Sequence, residues 1–475
     1  MFWMRQNTRH RRQEASMMYL VSSMDGLVQQ FSCCFTEPSF RTFTVIVSGW
    51  LLGRCRRTVT GVLLAGNGLQ HKTFSCYHRF FSQARWATDS LGQVLLERVL
   101  TFVPKGTALV VAVDDTLTRK SGKRIWAAGM HHDPLLSTGK RKFFSFGHNW
   151  VVLSIQLSFP FAPDKTWSLP ILMRLYRRKQ KSRKRGRPVG ERKAIGQAPS
   201  TEYRTRPQLA VEMISLLASR VPDRAIHVVG DSAYAGKSIS KNLPENVHLT
   251  SRMVMNAGLY EPPPKPRKGR RGAPRKKGRR LPSPAELAKS KKIKWKKARV
   301  NIYGRCVRVW FKTCDAMWYN SAGARLLRIV VVRDPSGKRK DDCFFSTDRT
   351  LSGTAVLELF AKRWPLEVAF YNAKQCLGFE DPQNRTPLAV QRTAPLALCF
   401  HTLVILWFAK HGNFDVKAYR KARPWYQRKS TPSFADMLGC LRTASLKETL
   451  SKDPGQKAPT KKMLQRLLVE LPLAA

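Results

Sequence analysis

The chain has 475 residues, with 85 Lys and Arg against 31 Asp and Glu, for a formal net charge of +54. Hydrophobic residues make up 43% and aromatics 10%, which excludes wholesale disorder, and the length suits two or three domains. A positive surplus spread this widely needs a polyanion: nucleic acid first, an anionic membrane surface second.

The membrane reading weakens on inspection. No stretch is expected to supply the ~18–20 apolar residues of a spanning helix, and the nearest run, Pro395 to Ala409, reads as a buried core helix. The basic first 13 residues lack the apolar core and cleavage site of a secretory signal. Residues 1–37 are expected to be a poorly defined extension. The ten cysteines form no C-x-x-C pair and no zinc-ligand spacing, as reduced thiols in a cytosolic compartment would. The adjacent His131 and His132 suit a single metal poorly.

Residues 38–104 read as a helical unit. Phe43, Val45, Ile46, Leu51 and Leu52, then Val59, Val62 and Leu63, recur at helical intervals, and Leu91 to Val103 forms a further helix. Arg54, Arg56, Arg57, His78, Arg79 and Arg85 dot the unit, which suits either a DNA-binding surface or a solvated helical face. From Thr107 the pattern changes. Ala108 to Val113 reads as a buried strand whose exit carries Asp114-Asp115-Thr116. Trp150 to Leu157 is a second strand, Gln208 to Val221 an amphipathic helix, and Ala225 to Val229 a third strand ending in Gly230-Asp231-Ser232. Leu326 to Arg333 is another strand. Thr354–Phe360 and Trp364–Leu377 are helical, with Pro365 fitting the first turn of the second. This alternation predicts an α/β domain.

Two segments interrupt it. Residues 171–200 carry 11 Lys and Arg against one acid, Glu191, and residues 261–300 carry 17 against two, Glu261 and Glu286. Both are expected to be mobile without a partner. Residues 411–475 read as a basic, helical C-terminal region.

Acids at strand ends are candidate ligands for Mg²⁺ or Mn²⁺, because sites assemble there in α/β sheets and carboxylates are hard donors. Asp114 or Asp115 is one such acid and Asp231 another; capping of a following turn is the structural alternative for each. At about 100° per residue, Arg363, Glu367, Tyr371 and Lys374 share one helix face. Glu367 there adds a third carboxylate between cations able to hold phosphates. Three carboxylates around divalent ions suit phosphodiester chemistry.

The stretch Phe360-x₂-Arg363-x₃-Glu367-x₆-Lys374 resembles the Tyr-x₂-Arg-x₃-Glu-x₆-Lys signature of bacterial insertion-sequence DDE transposases. Asp114-Asp115-Thr116 resembles their first-strand motif, and Asp231-Ser232-Ala233-Tyr234 their second. The Gly49 to Arg56 stretch and His78-Arg79-Phe80 resemble the same group, so the likeness spans roughly residues 40–410. It implies an RNase H-like mixed-sheet core over residues 105–250 and 350–410, a β-containing basic insertion over 251–349, and flanking helical regions, with a DNA-binding unit at 38–104. It also implies a metal-binding triad of Asp114, Asp231 and Glu367, with Asp115 the alternative first acid. Arg363 and Lys374 would contact end phosphates, and Tyr371 and Arg79 are further DNA-contact candidates. Phe360 departs from the usual Tyr and removes a hydroxyl. Trp310 and Trp318 read as core residues, with base stacking the alternative.

The implied activity is Mg²⁺- or Mn²⁺-dependent cleavage of double-stranded DNA at inverted-repeat ends and transfer of the freed strand. The implied setting is a homodimer on DNA in the bacterial cytoplasm, associated with the nucleoid, with no membrane partner. A related endonuclease without transposition and an inactive DNA-binding derivative are the competing readings.

Overall fold

The computed structural model describes residues 19–122, 124–178, 203–264 and 273–451. Residues 179–202 and 265–272, which include parts of the two basic segments, lie outside the described residues, as does the end of the C-terminal region from 452.

The described chain opens with helices α1 (Ser22–Gln29), α2 (Glu37–Leu52), α3 (Val59–Ala65), α4 (Phe74–Ser82) and α5 (Thr88–Leu100). Strands β1 (Leu109–Arg119), β2 (Gly129–His132), β3 (Phe144–Phe159) and β4 (Ala162–Tyr176) follow, then helix α6 (Arg206–Arg220), strand β5 (Ile226–Gly230), the short helix α7 (Lys237–Ser240) and strand β6 (Val247–Met253). β1 runs antiparallel to β3 and β3 to β4, whereas β1 is parallel to β5 and β5 to β6. The order β4-β3-β1-β5-β6 is that of an RNase H-like core.

The stretch expected to be an insertion continues the same sheet. It comprises β7 (Leu259–Tyr260), β8 (Arg280–Leu281), α8 (Pro284–Lys289), β9 (Lys296–Ile302), β10 (Arg305–Met317), α9 (Tyr319–Ala322), β11 (Leu326–Arg333) and β12 (Asp342–Ser346). β12 pairs with β6, and the ladder passes on through β11 to β10, which carries β9 on one stretch and β7 on another. Helices α10 (Gly353–Ala361), α11 (Trp364–Leu377), α12 (Pro387–His411), α13 (Val416–Ala422) and α14 (Phe434–Ser451) complete the described chain.

Several expectations need correction. β1 does not end at Val113: it pairs with β3 as far as Arg119, so Asp114 and Asp115 lie inside a strand. Residues 261–300 are not uniformly irregular. A capping box joins Ser283 and Glu286 at the start of α8, and the buried Lys312 ammonium donates to the carbonyls of Leu287, Ala288 and Ser290 at its end. β9 then pairs with β10, turning Val300 into a small core with Val309, Phe311, Val330 and Val356. Part of the stretch expected to be poorly defined is helix α1, whose Met24 and Val28 are fully buried. Backbone amides of Val21 and Ser22 donate to Ser445 and Glu448 of α14, tying the two ends of the described chain together.

α12 has 25 residues and is long and apolar enough to cross a membrane by length and composition, contrary to expectation, yet 89% of its apolar window is buried inside the protein. Arg392 interrupts the apolar run in sequence, but its guanidinium lies over the Trp86 ring and donates to the carbonyls of Phe81 and Trp86. The helix is the axis of the main core. It packs against β4, α5, α4 and α14, so the helical N-terminal unit and the sheet share one hydrophobic cluster.

His401 on α12 stacks on Phe434 with ring centroids 4.4 Å apart, and neither ring nitrogen has a hydrogen-bond partner among the described residues. Burial pushes its pKa down from 6.5 to about 3. Its folded pKa lies below the unfolded one, so the unfolded chain takes up the proton first, and stability is lost as pH falls from about 6.5 toward 3. In urea titrations at about pH 5 and about pH 7.5, His401→Phe is expected to shrink the loss of stability at the lower pH. A loss equal to the parent's would rule out this role.

Candidate active site

The parallel ladder between β1 and β5 ends at the pair Val113↔Gly230. Asp114 and Asp231 are the next residues along the two chains, so both carboxylates stand just past the end of this ladder, where sites assemble in α/β sheets. Ser251 on β6 holds the second chain in place by donating to the carbonyls of Gly230 and Asp231, at 2.9 and 2.8 Å. Asp231 also caps the turn after β5, its Oδ1 accepting from the Ala233 amide at 2.9 Å, so the capping and site readings of this residue coexist.

Helix α11 supplies the third acid. Pro365 sits in its first turn, where a missing N–H costs nothing. Gly378 ends the helix at φ 60°, a left-handed conformation suited to glycine, and the Phe379 amide closes the cap on the Ala373 carbonyl at 3.0 Å. Leu366, Ala369, Phe370 and Ala373 bury the opposite face. Glu367 thereby stands in the first turn and Lys374 in the last, each favoured by the helix dipole.

One guanidinium joins two of the acids. Arg363 Nη1 donates to Asp114 Oδ2, and Nη2 pairs with Glu367 Oε1 at 2.7 Å. Asp231 is close enough to interact electrostatically with both Arg363 and Asp114. Burial pushes the Asp114 carboxyl up to about 7; Arg363 opposes the shift, while Asp231 and Asp115 add to it. The cluster is short of positive charge even with the arginine in place. Glu367 is the more open end, its side chain 35% exposed against 13% for Asp114.

Hard oxygen donors in a cluster deficient in positive charge fit a divalent cation of the Mg²⁺ class. Among the described residues no three His, Cys, Asp or Glu side chains already form a metal-holding group; Asp114 and Glu367 pair with the guanidinium instead.

The remaining candidates fall elsewhere. Asp115, next along β1, points to the other side of the sheet and is engaged by Tyr234, Arg206 and Asn149. Lys374 donates to the Leu117 carbonyl at 2.7 Å and lies 3.7 Å from Glu380; burial lowers its pKa, with Glu380 opposing. Tyr371 is 64% exposed on α11, and Arg79 is exposed on α4. Arg54, Arg56 and Arg85 are exposed too, but Arg57 is buried against the carbonyls of Cys55 and Gly53 and cannot reach DNA as it stands. Trp310 and Trp318 are half-buried, Trp318 edge-on to Phe345. Phe360 packs on Phe344, with centroids 4.6 Å apart, an apolar contact. Sequence reasoning missed Arg206 and Asn149 altogether, since their link to Asp115 is made only by the fold.

A family model described as DDE superfamily endonuclease matches residues 30–305. No curated protein matches the chain.

Proposed function

The chain belongs to the DDE superfamily endonuclease family, and from that premise we propose that it is a DNA transposase. It binds the terminal inverted repeats of an insertion sequence, cleaves at their ends and joins the freed strand to target DNA. The observation that carries this reading is the pairing of Asp114 and Glu367 with Arg363, with Asp231 near enough to interact electrostatically with Arg363 and Asp114, just past the end of the β1–β5 ladder.

Asp114, Asp231 and Glu367 would hold Mg²⁺ or Mn²⁺, which when bound activates the attacking water or 3′-hydroxyl and stabilises the leaving oxygen. Asp114 is preferred to Asp115 because it shares Arg363 with Glu367, whereas Asp115 is engaged on the far side of the sheet. With a metal held by the acids, the Arg363 fork that now pairs with Asp114 and Glu367 would be free to hold a scissile phosphate beside them as a planar two-point donor. Tyr371 extends that contact along α11, Lys374 joins it only by leaving the Leu117 carbonyl and Glu380, and Arg54, Arg56, Arg79 and Arg85 add backbone contacts from the helical unit. The surplus of positive charge supplies the long-range attraction that brings duplex to the site. Two copies on paired ends, acting in the bacterial cytoplasm at the nucleoid, complete the reading.

The test is a duplex carrying the inverted repeats that flank the gene, incubated with the protein with and without Mg²⁺. The expected result is metal-dependent cleavage at the repeat end followed by joining of that end to a second duplex. Cleavage of any duplex alike, with no joining, would identify an endonuclease without transposition. Binding without cleavage would identify an inactive derivative.

A further inference from the structure

Beyond the last pair, Val113↔Gly230, no ladder bond between β1 and β5 fixes how far Asp114 stands from Asp231. A different set of bonds spans that gap. Tyr234, three residues after Asp231, is fully buried, and its hydroxyl donates to Asp115 Oδ1 at 2.9 Å. Asp115 adjoins Asp114, and its amide donates to Asp114 Oδ1 at 2.8 Å. The other oxygen, Asp115 Oδ2, accepts from Arg206 Nη1 at 2.6 Å and from Asn149 Nδ2 at 2.8 Å. One carboxylate therefore ties together β1, β3, the first turn of α6 and the turn that carries Asp231. Gly230 lets the tyrosine lie this close: a Cβ there would stand 3.0 Å from Tyr234 Cβ and 3.3 Å from Val113 Cγ1.

The geometry points to Asp115, Tyr234 and Arg206 as positioning residues that set the separation of Asp114 and Asp231, and so the affinity of that pair for a divalent cation. This rests on the proposed role of Asp114 and Asp231 as the metal-holding pair. Asp115 acts from the opposite face of the strand and touches neither metal nor DNA. Arg206 compensates its charge, so that two unpaired carboxylates do not face each other across one strand. The same bonds give a physical reason for the Asp-x-x-Tyr spacing: a tyrosine three residues on is what reaches back to the strand bearing the first acid.

The experiment compares the full chain with Tyr234→Phe, which removes one hydroxyl and little volume, and with Arg206→Gln as a second route to the same loosening. Mn²⁺ binding is measured without DNA by electron paramagnetic resonance, alongside thermal unfolding and, separately, cleavage kinetics. Groups that orient metal ligands from outside typically account for about 10–100-fold in metal affinity or activity. Both variants are expected to fold, to bind Mn²⁺ weaker by about that factor, and to lose kcat with little change in KM for DNA. Asp231→Asn serves as the control. Parent-like Mn²⁺ affinity in both variants, with affinity lost in Asp231→Asn, overturns the positioning role and leaves the proposed site standing. Parent-like affinity in all three overturns the site and the positioning role together. A lower unfolding temperature with parent-like Mn²⁺ affinity also overturns it, because it shows that the bonds serve stability alone.

Discussion

Asp231→Asn and Glu367→Gln each leave a folded, DNA-binding protein that no longer cleaves repeat ends in Mg²⁺. The expected loss is on the order of 10²–10³ in rate or greater, the scale seen when a group stabilising developing charge is removed. The substitutions separate chemistry from folding for reasons visible in the local structure. Asp231 Oδ1 caps the turn after β5 by accepting from Ala233, and asparagine caps as well as aspartate. Glu367 is the most open of the three acids, so its amide analogue brings little desolvation cost. Gel-shift affinity at low salt should stay near that of the parent while cleavage disappears. Retention of metal-dependent end cleavage in either variant would remove the acid from the site and the transposase reading with it.

Trp50→Ala is the substitution with the largest expected effect on stability. Trp50 is 1% exposed, sits edge-on to Phe400 with centroids 5.5 Å apart, and donates from Nε1 to the Leu377 carbonyl at 2.9 Å. Truncating a buried aromatic costs about 3–5 kcal/mol through the cavity it leaves, and stranding a buried carbonyl costs a further ~1–3 kcal/mol. Leu377 is the last residue of α11, so the lost bond loosens the helix that carries Glu367. Urea unfolding should show a lower midpoint with an unchanged slope, and Trp50→Phe should recover part of the packing but not the hydrogen bond. A midpoint shift below about 1 kcal/mol equivalent would show that the core closes around the gap, against the cavity cost expected here.

Elements whose own sequence carries their periodicity were legible without coordinates. Leu326–Arg333 and Trp364–Leu377 are observed with the predicted bounds, because an apolar β-branched run and a proline-started amphipathic helix need no distant partner to be recognised. β1 was cut short at Val113 because its last residues are polar, and only their pairing with β3 keeps them extended. β9 was lost for a related reason. Lys296, Lys297 and Arg299 dominate its charge count, yet Ala298, Val300 and Ile302 alternate between them and turn toward the small core. The period of two was present, but composition outweighed it. Within the site, spacing brought out Arg363 and Glu367, one helical turn apart. Their junction with Asp114, 249 residues earlier, depends on the sheet. The Asp-x-Thr likeness favours Asp114 over Asp115, but a strand sends neighbours to opposite faces, and which face meets α11 is decided by packing.

The shared ladder between β6 and β12 also has a bearing on protein engineering. A protein in which residues 254–341 hung from the core on two linkers could be trimmed to a minimal nuclease. Here trimming would remove β11 and uncover the hydrogen-bonding side of β12, which stays paired with β6, two strands away from the strand that leads into Asp231. An unpaired strand of that kind recruits other chains, so the shortened protein would be expected to aggregate before its catalysis could be measured. Residues 254–341 continue the sheet beyond β12, and deleting them is expected to leave that edge open.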